Sequence, residues 1–366
     1  HRGKNNLRII KNRNLPCNMP WYIVKQKILF KQGFRFIMLF SIIIPAFNAE
    51  RYLHDSLKSI RMQTFTDYET IIVDDGSTDK TGEIADSFAR ETSRTHVIHQ
   101  ENEGPLLARR TGLQAASGKY VVFLDADDSL RSTALQDIAD AIHKYNVDIV
   151  SFRYSRQDNF LTSDSPSPLP VGIYNGERFE EAKLHLCKGR FNEMWGKAIR
   201  LSCFDCTADY SNYAGLMHGE DLLQLLPVFD SAHSLYSSDK VLYFYRPNDS
   251  AGTARYKSSQ LSDIRKVNAR LLSFSMKWGK ACYKTACSGE VMQYINLLKI
   301  AVSCLSYSSF GDVFRSMHKA MDDEGCLARA QNCQLRIDNS VVVFCLMHNF
   351  CYLSFLVLKA INSIKR

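Results

Sequence analysis

The chain has 366 residues, 45% of them hydrophobic and 23% charged, which is enough for a large core or for two packed units. It carries no low-complexity tract and no internal period, so solenoid architectures are excluded. The formal net charge of +8 is concentrated in residues 1–37, which hold nine Lys and Arg and no acid; the remainder stands at −1, and a nucleic-acid surface read from net charge is excluded for it.

Residues 1–37 begin at His1 and show no clear periodicity, while Met38 stands directly before the first strong strand signal. They read as a non-core leader, an extension before a natural start near Met38. A secretory signal is the weaker reading, because cleavage after Ala46 would remove that strand. The eleven Cys are odd in number and irregular in spacing, which suits reduced thiols in a cytoplasmic protein better than a disulfide framework. Cys203 and Cys206 form one C-x-x-C, and the second pair that a zinc site needs is missing.

From 38 to 130 strand and helix signals alternate. Ser41–Ile44 is an apolar run closed by Pro45, and Leu53, Leu57 and Ile60 follow at helical spacing. Tyr68–Val73 is a second strand ending in Asp74-Asp75-Gly76-Ser77, with a helix after it through Ile84, Ala85 and Phe88. Val97–His99 is a short third strand, a helix spans about 105–116, and Tyr120–Leu124 is a fourth strand with the unbroken apolar character of a buried parallel strand. This alternation predicts an α/β fold: a mostly parallel, Rossmann-like sheet flanked by helices. Another strand is expected near Asp148–Tyr154, then a mobile loop over Ser163–Pro170 and an irregular stretch to 250. Residues 259–325 look largely helical. Val341–Leu358 is an 18-residue stretch without charge, a membrane span, an interfacial helix or a buried helix. His348 and Asn349 disfavour the span and leave docking on the protein or on a membrane surface.

In open α/β sheets ligands bind beyond the carboxyl ends of the strands. Two strands end there in acids: Asp74-Asp75, and Asp125-Ala126-Asp127-Asp128. Hard divalent cations want oxygen ligands and neutralise a departing diphosphate, so D-x-D at a strand end fits a nucleotide-sugar site; a cap or solvated turn is the bland reading. Asp75 either holds a nucleobase or ribose or sits in an Asp-Gly-Ser turn. Glu220-Asp221, before the apolar run LLQLLPVF, are ordinary helix-start acids or a general base. Tyr243, Phe244 and Tyr245 read as strand packing, and Trp278 and Tyr283 as core or interface anchors.

Together these motifs resemble glycosyltransferase family 2, whose fold is GT-A. The likeness lies in SIIIPAFNAERYLHDSLKSIRMQTFTDYETIIVDDGSTDKT, in ENEGPLLARRTGLQAASGKYVVFLDADD, and in the later blocks MWGKAIR, HGEDLLQ and YFYRPNDSAGT, over roughly 38–255. The resemblance implies a GT-A domain over 38–255, with a nucleotide-sugar half at 38–130 and an acceptor half at 131–255, followed by a helical C-terminal region over 256–366. It implies that Pro45, Phe47 and Glu50 border the nucleotide pocket, that Asp75 contacts the base and Arg109 the nucleotide or its phosphates, and that Asp125 sits by the ribose. Asp127, with Asp128, would coordinate Mg²⁺ or Mn²⁺, Asp221 would be the catalytic base with Glu220 beside it, and Trp195 and Lys197 would face the donor or acceptor cleft. Arg110 departs from the pattern, which usually has Asn there.

The implied activity is inverting, metal-dependent transfer of one sugar from a nucleotide-diphosphate sugar, commonly a UDP-sugar, to a glycan or lipid-linked acceptor in surface-polysaccharide biosynthesis. The Q-x-x-R-W block of processive synthases is absent. The expected setting is the cytoplasm, with peripheral contact of the C-terminal tail on the inner face of the cytoplasmic membrane. The rivals are a catalytically inactive carbohydrate-binding protein of the same fold and a nucleotidyltransferase; the second needs a Gly-rich phosphate loop where this chain has PAFNAE.

Overall fold

A computed structural model describes residues 38–164, 167–247, 256–331, 333 and 335–364. The leader at 1–37, part of the Ser163–Pro170 loop and the end of the YFYRPNDSAGT block lie outside the described residues. Strands β1 (Phe40–Ala46), β2 (Tyr68–Asp75), β3 (Thr95–Gln100) and β4 (Tyr120–Phe123) pair in parallel in the order β3-β2-β1-β4. Helices α1 (Leu53–Arg61), α2 (Thr81–Glu91) and α3 (Pro105–Ala115) make the crossovers that parallel neighbours require.

Both faces of β1 and β4 are covered, which explains their largely apolar character, whereas β3, at the sheet's edge, is mostly half-buried. Ile42 and Ile44 pack with α1 and with α4 (Ala134–Tyr145), while Ile43 points the other way, onto α3. There a Cβ added to Gly112 would lie 2.4 Å from the Ile43 side chain, so the helix sits close because that residue has no side chain.

Beyond β4 the sheet continues as β8 (Lys197–Arg200), β6 (Ile149–Ser155), β9 (Ser234–Phe244) and β5 (Ser129–Leu130), with β7 (Gly172–Asn175) also on β9. Here parallel pairing is kept only between β6 and β9; β8 runs antiparallel to both its neighbours, as β5 and β7 do to β9. Among its described residues the stretch expected to be irregular thus supplies three strands and two α-helices, α5 (Phe179–Cys187) and α6 (Glu220–Ser231). The Ser163–Pro170 loop is anchored at both ends: Asp164 accepts bonds from Ser155 and Arg156, and the carbonyl of buried Leu169 accepts from Ser237.

The chain closes with α7 (Gln260–Trp278), α8 (Lys280–Cys304), α9 (Tyr307–Asp323), α10 (Cys326–Ala330), α11 (Ile337–Met347) and α12 (Cys351–Ile364), packed around a second apolar core. The uncharged stretch Val341–Leu358 is not one helix. It turns at His348–Phe350, where Asn349 adopts φ +54°, and forms a hairpin of α11 and α12. Among the described residues no helix is long and apolar enough to cross a membrane.

Candidate active site

Strand order reverses between β1 and β4, since the chain runs outward from β1 to β3 and then returns to β1's other side. A crevice opens at such a switch point. Here it is a cleft of about 510 Å³, and its walls come from the ends of β1, β2 and β4 and the start of α3. Pro45, Phe47, Asp75, Arg109, Asp125 and Asp127 all line it.

Each carboxylate in this region has a different environment. Asp75 is buried and well bonded: it accepts from Gln100 Nε2 at 2.7 Å, Glu103 N at 3.0 Å and Gly104 N at 2.9 Å. It therefore shapes the loop that enters α3 as well as lining the cleft. Gly76 follows at φ +73°, a left-handed turn that suits glycine, and an added Cβ would meet the Asn102 backbone at 2.7 Å. Asp125 accepts from Arg109 Nη2 at 3.1 Å, and Asp221 accepts from Arg109 Nη1 at 2.7 Å and from Met194 N at 3.0 Å.

Arg109 is only 4% exposed and bridges residues 96 positions apart, on β4's end and α6's first turn. Burial opposes its charge, but Asp221, Asp125 and Glu220 together hold its pKa above the ordinary arginine value. Burial likewise raises the pKa of Asp221, and Arg109 opposes that rise. Burial and the neighbouring Asp221 push Glu220 up to about 7.

The D-x-D acids separate. Asp127 is half-buried in the cleft wall, and burial with nearby Asp125 raises its pKa. Asp128, 1% exposed, turns away: Tyr243 Oη donates to one oxygen at 2.7 Å and Arg246 N to the other at 2.8 Å. Burial first, then Asp125, push Asp128 up to about 8.

Arg246 also donates to the Asp127 carbonyl at 2.8 Å and pairs with Asp55 at 3.0 Å. Tyr243 Oη accepts from Asp125 N at 3.2 Å. These two residues hold the acidic turn from β9's end, more than a hundred positions away. Sequence reasoning set Tyr243 aside as strand packing, and no local pattern distinguishes a packing tyrosine from one that clamps a distant turn. Tyr52, Asn102 and Met217 also line the cleft and were missed.

Asp128, Glu220 and Asp221 do not line the cleft, Asp221 reaching it only through Arg109, and Glu50, Lys197 and Trp195 stand elsewhere. Glu50 is exposed and off the cleft, and its carboxylate accepts from Lys80 N at 3.0 Å, capping α2. Lys197 is fully buried. It donates to the Glu193 carbonyl at 2.7 Å and lies over the Phe191 ring, and burial lowers its pKa. Trp195 stacks on Tyr243 and Tyr245, with centroids at 4.9 and 5.4 Å, and meets Tyr154 edge-on. It forms part of an aromatic cluster behind the acidic turn.

Among the described residues no group of three or more His, Cys, Asp or Glu side chains forms a ready metal cage. That donor set still fits Mg²⁺ or Mn²⁺ bound with a diphosphate, because such ions commonly take one or two carboxylates and draw their other oxygens from phosphates and water. Asp127 lines the cleft, and among the described residues its carboxylate is bonded by its own backbone N–H while Arg246 takes only its carbonyl, so it suits this role.

Comparison with known proteins follows the same lines. The family model "Glycosyl transferase family 2" matches residues 41–205. The uncharacterized glycosyltransferase EpsJ of Bacillus subtilis (strain 168) is 30% identical over 293 residues, 78% of this chain and 84% of that protein. The putative teichuronic acid biosynthesis glycosyltransferase TuaG of the same strain is 40% identical over 99 residues, 27% of this chain and 39% of that protein. Among solved structures, S. aureus TarS 1–349 in complex with UDP-GlcNAc superposes with TM-score 0.62 at 18% identity, over 89% of this chain and 92% of that one. That likeness is one of fold.

Proposed function

The chain belongs to glycosyltransferase family 2 and has its GT-A fold, and on that premise we propose that it transfers one sugar from a nucleotide-diphosphate sugar to a hydroxyl of a glycan or lipid-linked acceptor in polysaccharide biosynthesis, with inversion at the anomeric carbon. The observation that carries this reading is Asp125 and Asp127 lining a cleft at the sheet's switch point, with Asp221, outside that lining, tied to Asp125 through one buried arginine of the cleft wall, Arg109. Nucleotide sugars are anionic, and Asp127 alone would repel one. Bound at Asp127, Mg²⁺ or Mn²⁺ supplies charge neutralisation to the leaving diphosphate.

The chain's own residues do the rest. Phe47 and Met217 are half-exposed in the cleft lining and offer apolar surface to the base of the donor. Asp221 receives the proton of the attacking hydroxyl, and its raised pKa makes it a better acceptor than a solvated carboxylate. Arg109 and Met194 N fix its two oxygens, so it is oriented before substrate arrives. Burial keeps Asp221 basic, with the negative charge of Asp125 adding to it.

The tail reading goes with this one. Among the described residues, α11 and α12 expose Ile337, Val341, Phe344, Tyr352, Leu353 and Leu356, with Arg336 and Lys359 at the surface and Asp338 as their one acid. An apolar face with a basic margin suits an anionic membrane surface, where a lipid-linked acceptor would reside. A UDP-sugar is the first donor to try, since the fold neighbour TarS was solved with UDP-GlcNAc.

The decisive experiment presents a panel of UDP-, GDP- and dTDP-sugars with Mn²⁺ or Mg²⁺ and measures nucleotide release. Metal-dependent release from at least one donor supports the reading; none across the panel, with and without glycan acceptors, refutes it and favours an inactive binding module.

A further inference from the structure

Arg110, the departure from the family pattern, has found a use in this fold. It follows Arg109 on α3 and points away from the carboxylates. It is 5% exposed, donates to the carbonyls of Asp205 and Ala208, and its guanidinium stands 4.6 Å over the Tyr210 ring. Its direct partners, two carbonyls and an aromatic face, are neutral, and the Asp205 carboxylate, held below the usual range by its bonds to Thr207 and Ala208 and by the Arg110 charge, adds an opposing charge on the same segment.

Those partners belong to the segment 204–219, which joins the β8 side of the sheet to α6. The segment organises its own start: Asp205 accepts from Thr207 N at 3.0 Å and Ala208 N at 3.1 Å. Further along it rests on the start of α3, with Gly215 N donating to the Glu103 carbonyl at 3.1 Å and Gly104 facing Gly215 closely. It then places Met217 in the cleft wall and delivers Glu220 and Asp221 at the start of α6. Arg110 thus grips one end of a strap whose other end contains a wall of the cleft and the acids beyond it.

We propose that Arg110 is a positioning residue that latches the 204–219 strap to α3 and so seats Met217 at the base end of the donor. This rests on the donor-cleft reading above. It makes Arg110 act on donor affinity and on discrimination among nucleobases, through Met217, while leaving the carboxylates of the chemical step in place.

The test uses the full chain with Arg110→Ala, Arg110→Lys, Tyr210→Leu and Met217→Ala. Chymotrypsin can cut the strap after Tyr210 or Tyr213, and this arm needs no donor. Arg110→Ala should be cut there at least tenfold faster than the parent, with Arg110→Lys between the two. Equal rates in a folded Arg110→Ala overturn the latch even if the donor reading stands. If Arg110→Ala fails to fold, Tyr210→Leu takes its place and should be cut after Tyr213 severalfold faster; parent-like cutting there also overturns the latch.

In the kinetic arm, with whichever UDP- or GDP-sugar the parent turns over, KM should rise about tenfold while kcat stays within threefold. Met217→Ala should give a similar KM rise, and the double variant little more than either alone. Additive effects, or kcat falling in step with thermal stability, mean that Arg110 is merely structural. Should the parent release no nucleotide, the donor reading fails and the protease arm alone decides the latch.

Discussion

Arg109 and Arg329 are both arginines paired with carboxylates, the first, itself buried, with half-buried acids in the α/β body and the second with a fully buried acid in the helical region. Arg329 meets Glu290 with two bonds, at 3.0 and 2.8 Å, one cation to one carboxylate, and also donates to the Glu324 carbonyl at 2.8 Å. Arg109 is shared between Asp125 and Asp221, with Glu220 and Asp127 nearby, so acids outnumber cations around the cleft. Balanced charge in the helical core serves folding, because a buried ion without its partner is costly. Surplus acid at the cleft raises carboxylate pKa values and lowers stability, and it is relieved only when a cation or proton arrives. The contrast separates a site arranged for binding and proton transfer from one arranged for packing.

The sharpest way to break this contrast is to remove a carboxylate on each side. Asp127→Ala should lower kcat for nucleotide release by about 10²–10³-fold and leave thermal stability unchanged or improved, because like-charge repulsion falls. A variant that turns over donor at the parental rate in Mn²⁺ removes Asp127 from metal binding. Asp221→Asn should cost about 10²–10⁴-fold in kcat, with donor KM little changed.

The pH profile refines the second expectation. Asp221 and Glu220 both hold protons at higher pH than ordinary acids do, so kcat/KM should rise with pH. One limb is expected near pH 7, where Glu220 loses its proton, and a second where Asp221, raised by burial, loses its own. Glu220→Gln should erase the limb near 7 and keep the other. Loss of both limbs makes Glu220 the proton acceptor.

On the other side, Glu290→Gln leaves Arg329 without its counter-charge. It should destabilise the fold by about 3 kcal/mol, the low end for a broken buried pair since Arg329 is partly exposed. Denaturant unfolding measures this, and kcat of the remaining folded enzyme should be unaltered. The smallest effect on catalysis is expected from Phe344→Ser with Leu356→Ser. Binding to vesicles containing anionic lipid should fall severalfold in flotation assays, while nucleotide release in solution stays at the parental value. Undiminished flotation would remove the hairpin of α11 and α12 from any membrane role.

Much of the first half was legible along the chain. The parallel strands and their crossover helices show as apolar runs and helical spacing within short windows, and the acids at strand ends follow from sheet geometry. Glu50 and Lys197 show the limit. Both lie beside family motifs, yet one caps α2 and the other is buried under Glu193, because a side chain's direction depends on neighbours that arrive from elsewhere in the chain. Asp128 carries the same lesson, since its two partners come from β9's end. The tail was legible as apolar, but its division into two helices turns on the left-handed conformation of Asn349.

By itself the sequence determined the order of strands and helices, the placement of Asp75 and Asp125–Asp128 at strand ends, and the family to which they point, since these follow from periodicity and spacing over a few residues. Tertiary structure alone decided which acids face the cleft, which arginine bridges them and which one grips the strap. The reason is that burial and charge pairing act through space, between groups some 16 to 119 positions apart, and no local pattern encodes such distances.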